Sequence, residues 1–168
     1  MSLSDLNSSF KNAEARIVKR KRSKRWDSGH SRFPKPVQKK LRNLLLTYDR
    51  PSMTKLMKDL STFCDKNQLP CPSRASIYNF AKHVPANTYD PAQLQEDIRA
   101  TLYNLDDQTR IPGHQLVYYA FHYGTLRAVS QASGLPWIDL YQASFLPAWR
   151  PKSRCLLEAV LRARGIVS

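Results

Sequence analysis

Proline spacing restricts this chain to short helices. A proline lacks the backbone N–H and clashes with the preceding turn, so it suits a helix start and breaks a helix interior. Pro34, Pro36, Pro51, Pro70, Pro72, Pro85, Pro91 and Pro136 divide the sequence, and between them the apolar residues keep a helical period. Val37, Leu41, Leu44, Leu45 and Tyr48 predict a first helix from Val37 that ends before Pro51. Met53, Leu56, Met57, Leu60, Phe63 and Cys64 predict a second, capped by Ser52 and stopping near Asn67. Ser73 is placed to cap a third helix running to about His83, with Ile77, Phe80, Ala81 and Val84 on its inner face.

Further along, Asp90-Pro91 predicts a fourth helix, with Gln93 completing a capping box and Leu94, Ile98, Leu102 and Leu105 as its stripe. After a polar loop over 104–113, helices are predicted for His114–Tyr123, Leu126–Gly134, Trp137–Phe145 and Ser153–Arg164, separated by Gly124 and Gly134. The last of these is expected to bury Leu156, Leu157, Val160 and Leu161 and to end at Gly165. Strand signals are nearly absent. The expected fold class is all-α, with two three-helix, helix-turn-helix-like modules behind a flexible basic N-terminal arm. The divisions are 1–36 for arm and linker, 37–89 for the first module and 90–168 for the second.

Charge separates the arm from the body. The chain of 168 residues carries a formal +14. Residues 1–50 hold fourteen Lys and Arg against four Asp and Glu, whereas residues 51–168 hold thirteen against nine. Seven of the basic residues, Arg16, Lys19, Arg20, Lys21, Arg22, Lys24 and Arg25, fall within ten positions, and their repulsion favours an extended chain until a polyanion neutralises them. Such an asymmetry points to nucleic acid as partner. Cys64, Cys71 and Cys155 are odd in number and follow no apolar leader, so a disulfide framework is not expected. No run reaches the ~18 apolar residues of a membrane span, and the expected location is cytoplasmic, associated with the nucleoid.

The second helix, the Leu69–Pro72 turn and the third helix have the order of a helix-turn-helix. A recognition helix packs one face on its neighbours and offers polar and cationic side chains near its N-terminus. Arg74, suited to guanine or phosphate, and Asn79, suited to adenine, fit that requirement, with Ser76, Tyr78 and Lys82 placed for phosphates. A purely structural helical hairpin has the same pattern, and the basic arm tips the balance toward DNA. Homeodomain arms lie in the adjacent minor groove in this way. Trp26 and His30, at the end of the arm, suit stacking or phosphate contact, and Trp26 equally suits anchoring.

Residues 126–145 form a second helix-turn-helix-like segment, but its later helix offers Trp137, Asp139, Tyr141 and Gln142 and no cation. A structural or protein-binding role is expected there. Arg150, Lys152 and Arg154, beside Trp149, are candidates for supplementary phosphate contacts. No catalytic residue, metal or cofactor is expected. Cys64, Cys71 and His83, or His114 with His122, lack the paired spacing of a zinc site, and the five glycines do not cluster into a phosphate loop. The tyrosines of 114–123 suit aromatic packing better than nucleophilic strand transfer.

The basic arm, the helix-turn-helix and the helical module with Trp149-Arg-Pro-Lys-Ser-Arg154 together resemble small bacterial DNA-binding regulators. Over residues 37–84 the chain is also similar to antitoxins of abortive-infection type, although no wing hairpin is visible after Val84. The resemblance implies a transcriptional regulator, and the antitoxin likeness implies autoregulation and a toxin as protein partner. The expected function is sequence-specific binding of double-stranded DNA, with a homodimer through the C-terminal helices. Alternatives are an RNA or single-strand binder, with Trp26 and Tyr78 stacking on bases, and a protein-interaction antitoxin module.

Overall fold

Helix α1 (Lys35–Leu45) begins two residues ahead of the predicted Val37, because Pro36 has no N–H to lose and a backbone already set for a first turn. It buries Val37, Leu41 and Leu45 and then stops. Tyr48, expected on the same stripe, lies beyond the helix and is 58% exposed. The structure, a computed structural model, describes residues 33–85, 87–103 and 110–167. The predicted arm, 16–25, lies outside the described residues.

Helix α2 (Met53–Lys66) buries Leu56, Leu60 and Cys64, as its period requires, although the Ser52 side chain makes no capping hydrogen bond. Its end is closed by two backbone bonds, Leu69 N–H to the Cys64 carbonyl at 2.9 Å and Gln68 N–H to the Asp65 carbonyl at 3.2 Å. That pairing of bonds is a Schellman closure, and it holds Gln68 at φ 52, where glycine is usual. Helix α3 (Arg74–His83) is capped as predicted: Ser73 Oγ accepts from the Ser76 N–H at 3.3 Å, and Ile77 and Ala81 are buried.

The predicted fourth helix is broken. Asp90 Oδ1 accepts from the Ala92 N–H at 3.0 Å, one position earlier than a capping box needs, and closes a 3₁₀ turn over Pro91–Gln93. Leu94 and Gln95 are then extended, and α4 (Glu96–Arg99) leads into a second 3₁₀ turn, Ala100–Leu102. The chain before Asp90 explains the break. Thr88–Tyr89 (β1) pairs antiparallel with Ile111–Pro112 (β2), Thr88 opposite Pro112 and Tyr89 opposite Ile111. This pairing fixes the entry to the segment, while Ile98 and Leu102 must reach the core, so the Leu94, Ile98, Leu102 stripe bends instead of following one axis. Two-residue strands are also too short to leave a period-two pattern.

Helices α5 (Gly113–Tyr123), α6 (Leu126–Ser133), α7 (Trp137–Ala143) and α8 (Pro151–Ala163) complete the described fold. Thr125 caps α6, its Oγ1 accepting from the Ala128 N–H at 3.3 Å. In α8 the expected Leu157 and Leu161 are buried, but Leu156 is exposed. The described residues are thus mostly helical, with one two-stranded ladder. Among them no helix is long and apolar enough to cross a membrane.

Helix α7 is the hub. It packs on α3, α5 and α8, and Trp137, Ile138, Asp139, Leu140, Gln142 and Ala143 are all buried. Its polar side chains tie it to the ends of neighbouring helices. Trp137 Nε1 donates to the Leu45 carbonyl at 2.9 Å, at the end of α1. Gln142 Nε2 donates to the Ala81 and Val84 carbonyls at 2.9 and 2.8 Å, at the end of α3. Each such bond contributes a net ~1 kcal/mol, and leaving one of these carbonyls unpaired in the core costs ~1–3 kcal/mol. Segments 37–89 and 90–168 meet through these bonds, and the described residues belong to one compact unit.

Asp139 is fully buried. Its Oδ2 accepts from Tyr89 Oη at 2.7 Å and Asn87 Nδ2 at 3.3 Å, while Oδ1 has no hydrogen-bond partner. Burial pushes its carboxyl above the ordinary value, and the bonds from Tyr89 and Asn87 oppose that rise. Burial likewise raises the Tyr89 hydroxyl, with Asp139 adding to the effect. Only glycine fits opposite: a Cβ on Gly113 would overlap the Asp139 carboxylate.

Candidate nucleic-acid interface

Helix α3 presents two different surfaces. Opposite Ile77 and Ala81 it leaves Arg74, Ala75, Asn79 and His83 exposed, so both predicted base-reading residues are open to solvent. Ser76 is partly covered, and its hydroxyl shares a 3.0 Å hydrogen bond with that of Ser73. This ties Ser76 to the cap and leaves it less free for a phosphate than predicted.

Tyr78 and Lys82, one turn apart, lean toward the C-terminal half. Tyr78 Oη accepts from Arg50 Nη2 at 3.3 Å, and Arg50 Nη1 donates to the Gly165 carbonyl at 3.0 Å. Lys82 Nζ lies 4.8 Å from the centre of the Phe145 ring, and Phe145 meets Tyr141 edge-on at 4.9 Å. Burial holds the Tyr141 hydroxyl above its ordinary value, with Tyr78 adding to the rise and Arg50 opposing it. Next to Gly165, Arg164 donates to the Ser133 and Leu135 carbonyls and sits 5.1 Å from the centre of the Tyr48 ring. The result is a continuous surface in which aromatic rings adjoin cations.

Sequence reasoning found Tyr78 and Lys82 of this surface but missed Tyr48, Arg50, Tyr141, Phe145 and Arg164 as a group. They come from the α1–α2 connection, the end of α7 and the end of α8, which no local spacing links. A usable signal was present all the same. Tyr48 and Phe145 lie at segment ends beside a break, where a helical stripe no longer dictates burial.

The supplementary phosphate candidates divide. The backbone N–H of Arg150 donates to His122 Nε2 at 3.1 Å, its Nη1 donates to the His122 carbonyl at 3.3 Å, and its guanidinium lies 5.1 Å from the Tyr123 ring centre. These contacts bind Arg150 to α5. Arg154 pairs with Glu158 at 3.0 Å, a solvent-exposed i,i+4 bridge of little energetic weight. Lys152 is exposed. The three residues therefore open α8 without joining the α3 surface through these contacts.

The second helix-turn-helix-like segment, for which a structural or protein-binding role was expected, turns Trp137, Asp139 and Gln142 to the core and leaves Tyr141 partly exposed. Its chemistry holds the fold together.

Among the described residues, no group of three or more His, Cys, Asp or Glu is placed to hold a metal ion. His122 shares its Nδ1 with the Tyr118 carbonyl at 3.2 Å and stacks on Tyr118 at 4.1 Å, and burial lowers its pKa below the ordinary value. Burial, and then Cys71, raises the Cys64 thiol above its ordinary value.

Comparison with known protein families, with curated proteins and with solved structures returned no match.

Proposed function

We propose that this protein binds double-stranded DNA and reads its sequence with α3, acting as a transcriptional regulator. Arg74 and Asn79 contact base edges in the major groove, and Tyr78 and Lys82 flank them toward the phosphates. The basic arm, Arg16 to Arg25, follows the DNA backbone and supplies affinity without sequence information. The observation that carries this reading is the uncovered face of α3: Arg74, Ala75, Asn79 and His83 are exposed on a helix whose opposite face is anchored by Ile77 and Ala81. A helix held firmly from behind and polar in front is what groove insertion requires.

Selection of bound fragments from genomic DNA identifies the preferred site. On that site Asn79→Ala weakens binding by ~1–3 kcal/mol and relaxes preference at one base position. Neutralising Arg16–Arg25 weakens all sequences alike and flattens the salt dependence by ~1 in log–log slope for each lost phosphate contact. If Asn79→Ala and the arm variant both weaken every sequence equally, base reading by α3 is wrong.

A further inference from the structure

The aromatic and cationic surface beside α3 has chemistry that duplex DNA does not use. Tyr48, Phe145 and Tyr78 are 58%, 50% and 36% exposed, although large rings gain by burial. Each adjoins a cation: Arg164 beside Tyr48, Lys82 beside Phe145, Arg50 beside Tyr78. Arg164 and Arg50 are also fixed from behind by the backbone carbonyls of Ser133, Leu135 and Gly165. Their charges are therefore held in place before any ligand arrives, and little side-chain freedom is lost on binding.

Among the described residues, the carboxylate paired with these cations is Asp49, 3.8 Å from Arg164 and highly exposed. Arg50, Lys82 and Arg164 against that carboxylate give the described part of the surface an excess of positive charge. A base inside a duplex has both faces covered by its neighbours, so an exposed ring finds nothing to stack on there. An unpaired strand offers what these residues lack: flat base faces for the rings and phosphates for the cations.

We propose that the surface formed by Tyr48, Arg50, Tyr78, Lys82, Phe145 and Arg164 binds an unpaired nucleic-acid strand, with Tyr48 and Phe145 as stacking platforms. It is a second binding activity, and its test uses residues that the duplex reading does not.

Fluorescence anisotropy on the full chain compares a labelled oligothymidylate with an abasic strand of equal length. The arm attracts both through their phosphates, so the difference between them isolates stacking. The intact protein is expected to bind the thymidylate strand about a hundredfold more tightly than the abasic one, about tenfold for each of the two platforms. Tyr48→Ala and Phe145→Ala each remove roughly tenfold from thymidylate binding and leave abasic binding near its starting value. Both rings are solvent-facing, and unchanged thermal unfolding of the variants confirms an intact fold.

Equal affinity for the two strands, or variants that bind thymidylate unchanged, overturns the proposal. So does a dimer, measured by light scattering, that either variant converts to monomer, because the surface would then belong to a second copy of the chain. Asn79→Ala tests independence. It is expected to weaken the duplex site and spare the thymidylate strand, so either reading can fail without the other.

Discussion

Gly113→Ala sets two physical effects against each other, and the structure decides the sign. Gly113 opens α5, and helix propensity alone favours alanine by up to ~1 kcal/mol. Packing opposes it. A Cβ there would lie 2.6 Å from Asp139 Oδ2 and closer still to the Cγ and Oδ1 of that residue. The carboxylate cannot swing away freely, because it is fully buried and held by Tyr89 at 2.7 Å and Asn87 at 3.3 Å. Forcing extra volume into a filled core costs ~1–3 kcal/mol. Pulling the carboxylate off its donors adds ~1–3 kcal/mol. After the propensity gain, the expected net loss is about 1–5 kcal/mol, a large part of the ~5–15 kcal/mol that holds a domain together. Thermal unfolding of the full chain should show a Tm lower by ~2–20 °C, and urea unfolding a lower midpoint. The same substitution in an Asp139→Ala background meets no carboxylate and should cost far less, so the two changes couple strongly. A Gly113→Ala protein as stable as the parent, or an equal loss in both backgrounds, would refute the packing argument.

Two further outcomes follow from individual backbone and side-chain positions. Gln68 closes α2 at φ 52, so Gln68→Gly should stabilise the protein by ~0.5–1 kcal/mol through relief of left-handed strain, less the added freedom of the unfolded chain. A lower Tm would show that the Gln68 side chain contributes more than its backbone strain. Burial raises the Asp139 carboxyl above its ordinary 3.8, so the native state prefers the protonated acid more than the unfolded state does. The stability that this group contributes is complete below that value and declines as pH rises through the folded value. Urea titrations from pH 3 upward should therefore show the parent losing stability relative to Asp139→Asn as pH rises. The opposite slope would mean that the bonds from Tyr89 and Asn87 outweigh desolvation.

If both surfaces act as proposed, the labour around α3 is divided by geometry. Its outward stripe carries Arg74 and Asn79, and its flank, through Tyr78 and Lys82, belongs to a surface shared with distant segments. The arm adds charge that does not discriminate. Salt dependence, base preference and the contrast between based and abasic strands thus report on three different sets of residues.

Much of the local architecture was legible in the sequence because its causes are local. Proline and glycine positions delimit the helices, the periods of Leu56, Leu60 and Cys64 and of Ile77 and Ala81 report their buried faces, and Ser73 caps α3 as its chemistry requires. The same logic placed Arg74 and Asn79 on the open side of α3. It failed where a long-range partner overrode a local pattern. Asp90-Pro91 and the stripe after it read as one helix, but the pairing of Tyr89 with Ile111 broke it. Tyr48 continued the α1 period on paper, but the helix ended at Leu45.

By itself, then, the sequence determined that this protein is built from short helices, which faces they bury, and that its positive charge is concentrated toward the N-terminus. Periodicity states that a face is buried without saying against what. Tertiary structure alone decided that Asp139 and Gln142 are internal tethers, because polar groups as well as apolar ones are buried when partners such as Tyr89, Ala81 and Val84 reach them. It also brought Tyr48, Arg50, Tyr78, Lys82, Phe145 and Arg164 onto one face. Contacts across more than a hundred positions, such as Arg50 to Gly165, are set by how helices pack, and no window along the chain contains them.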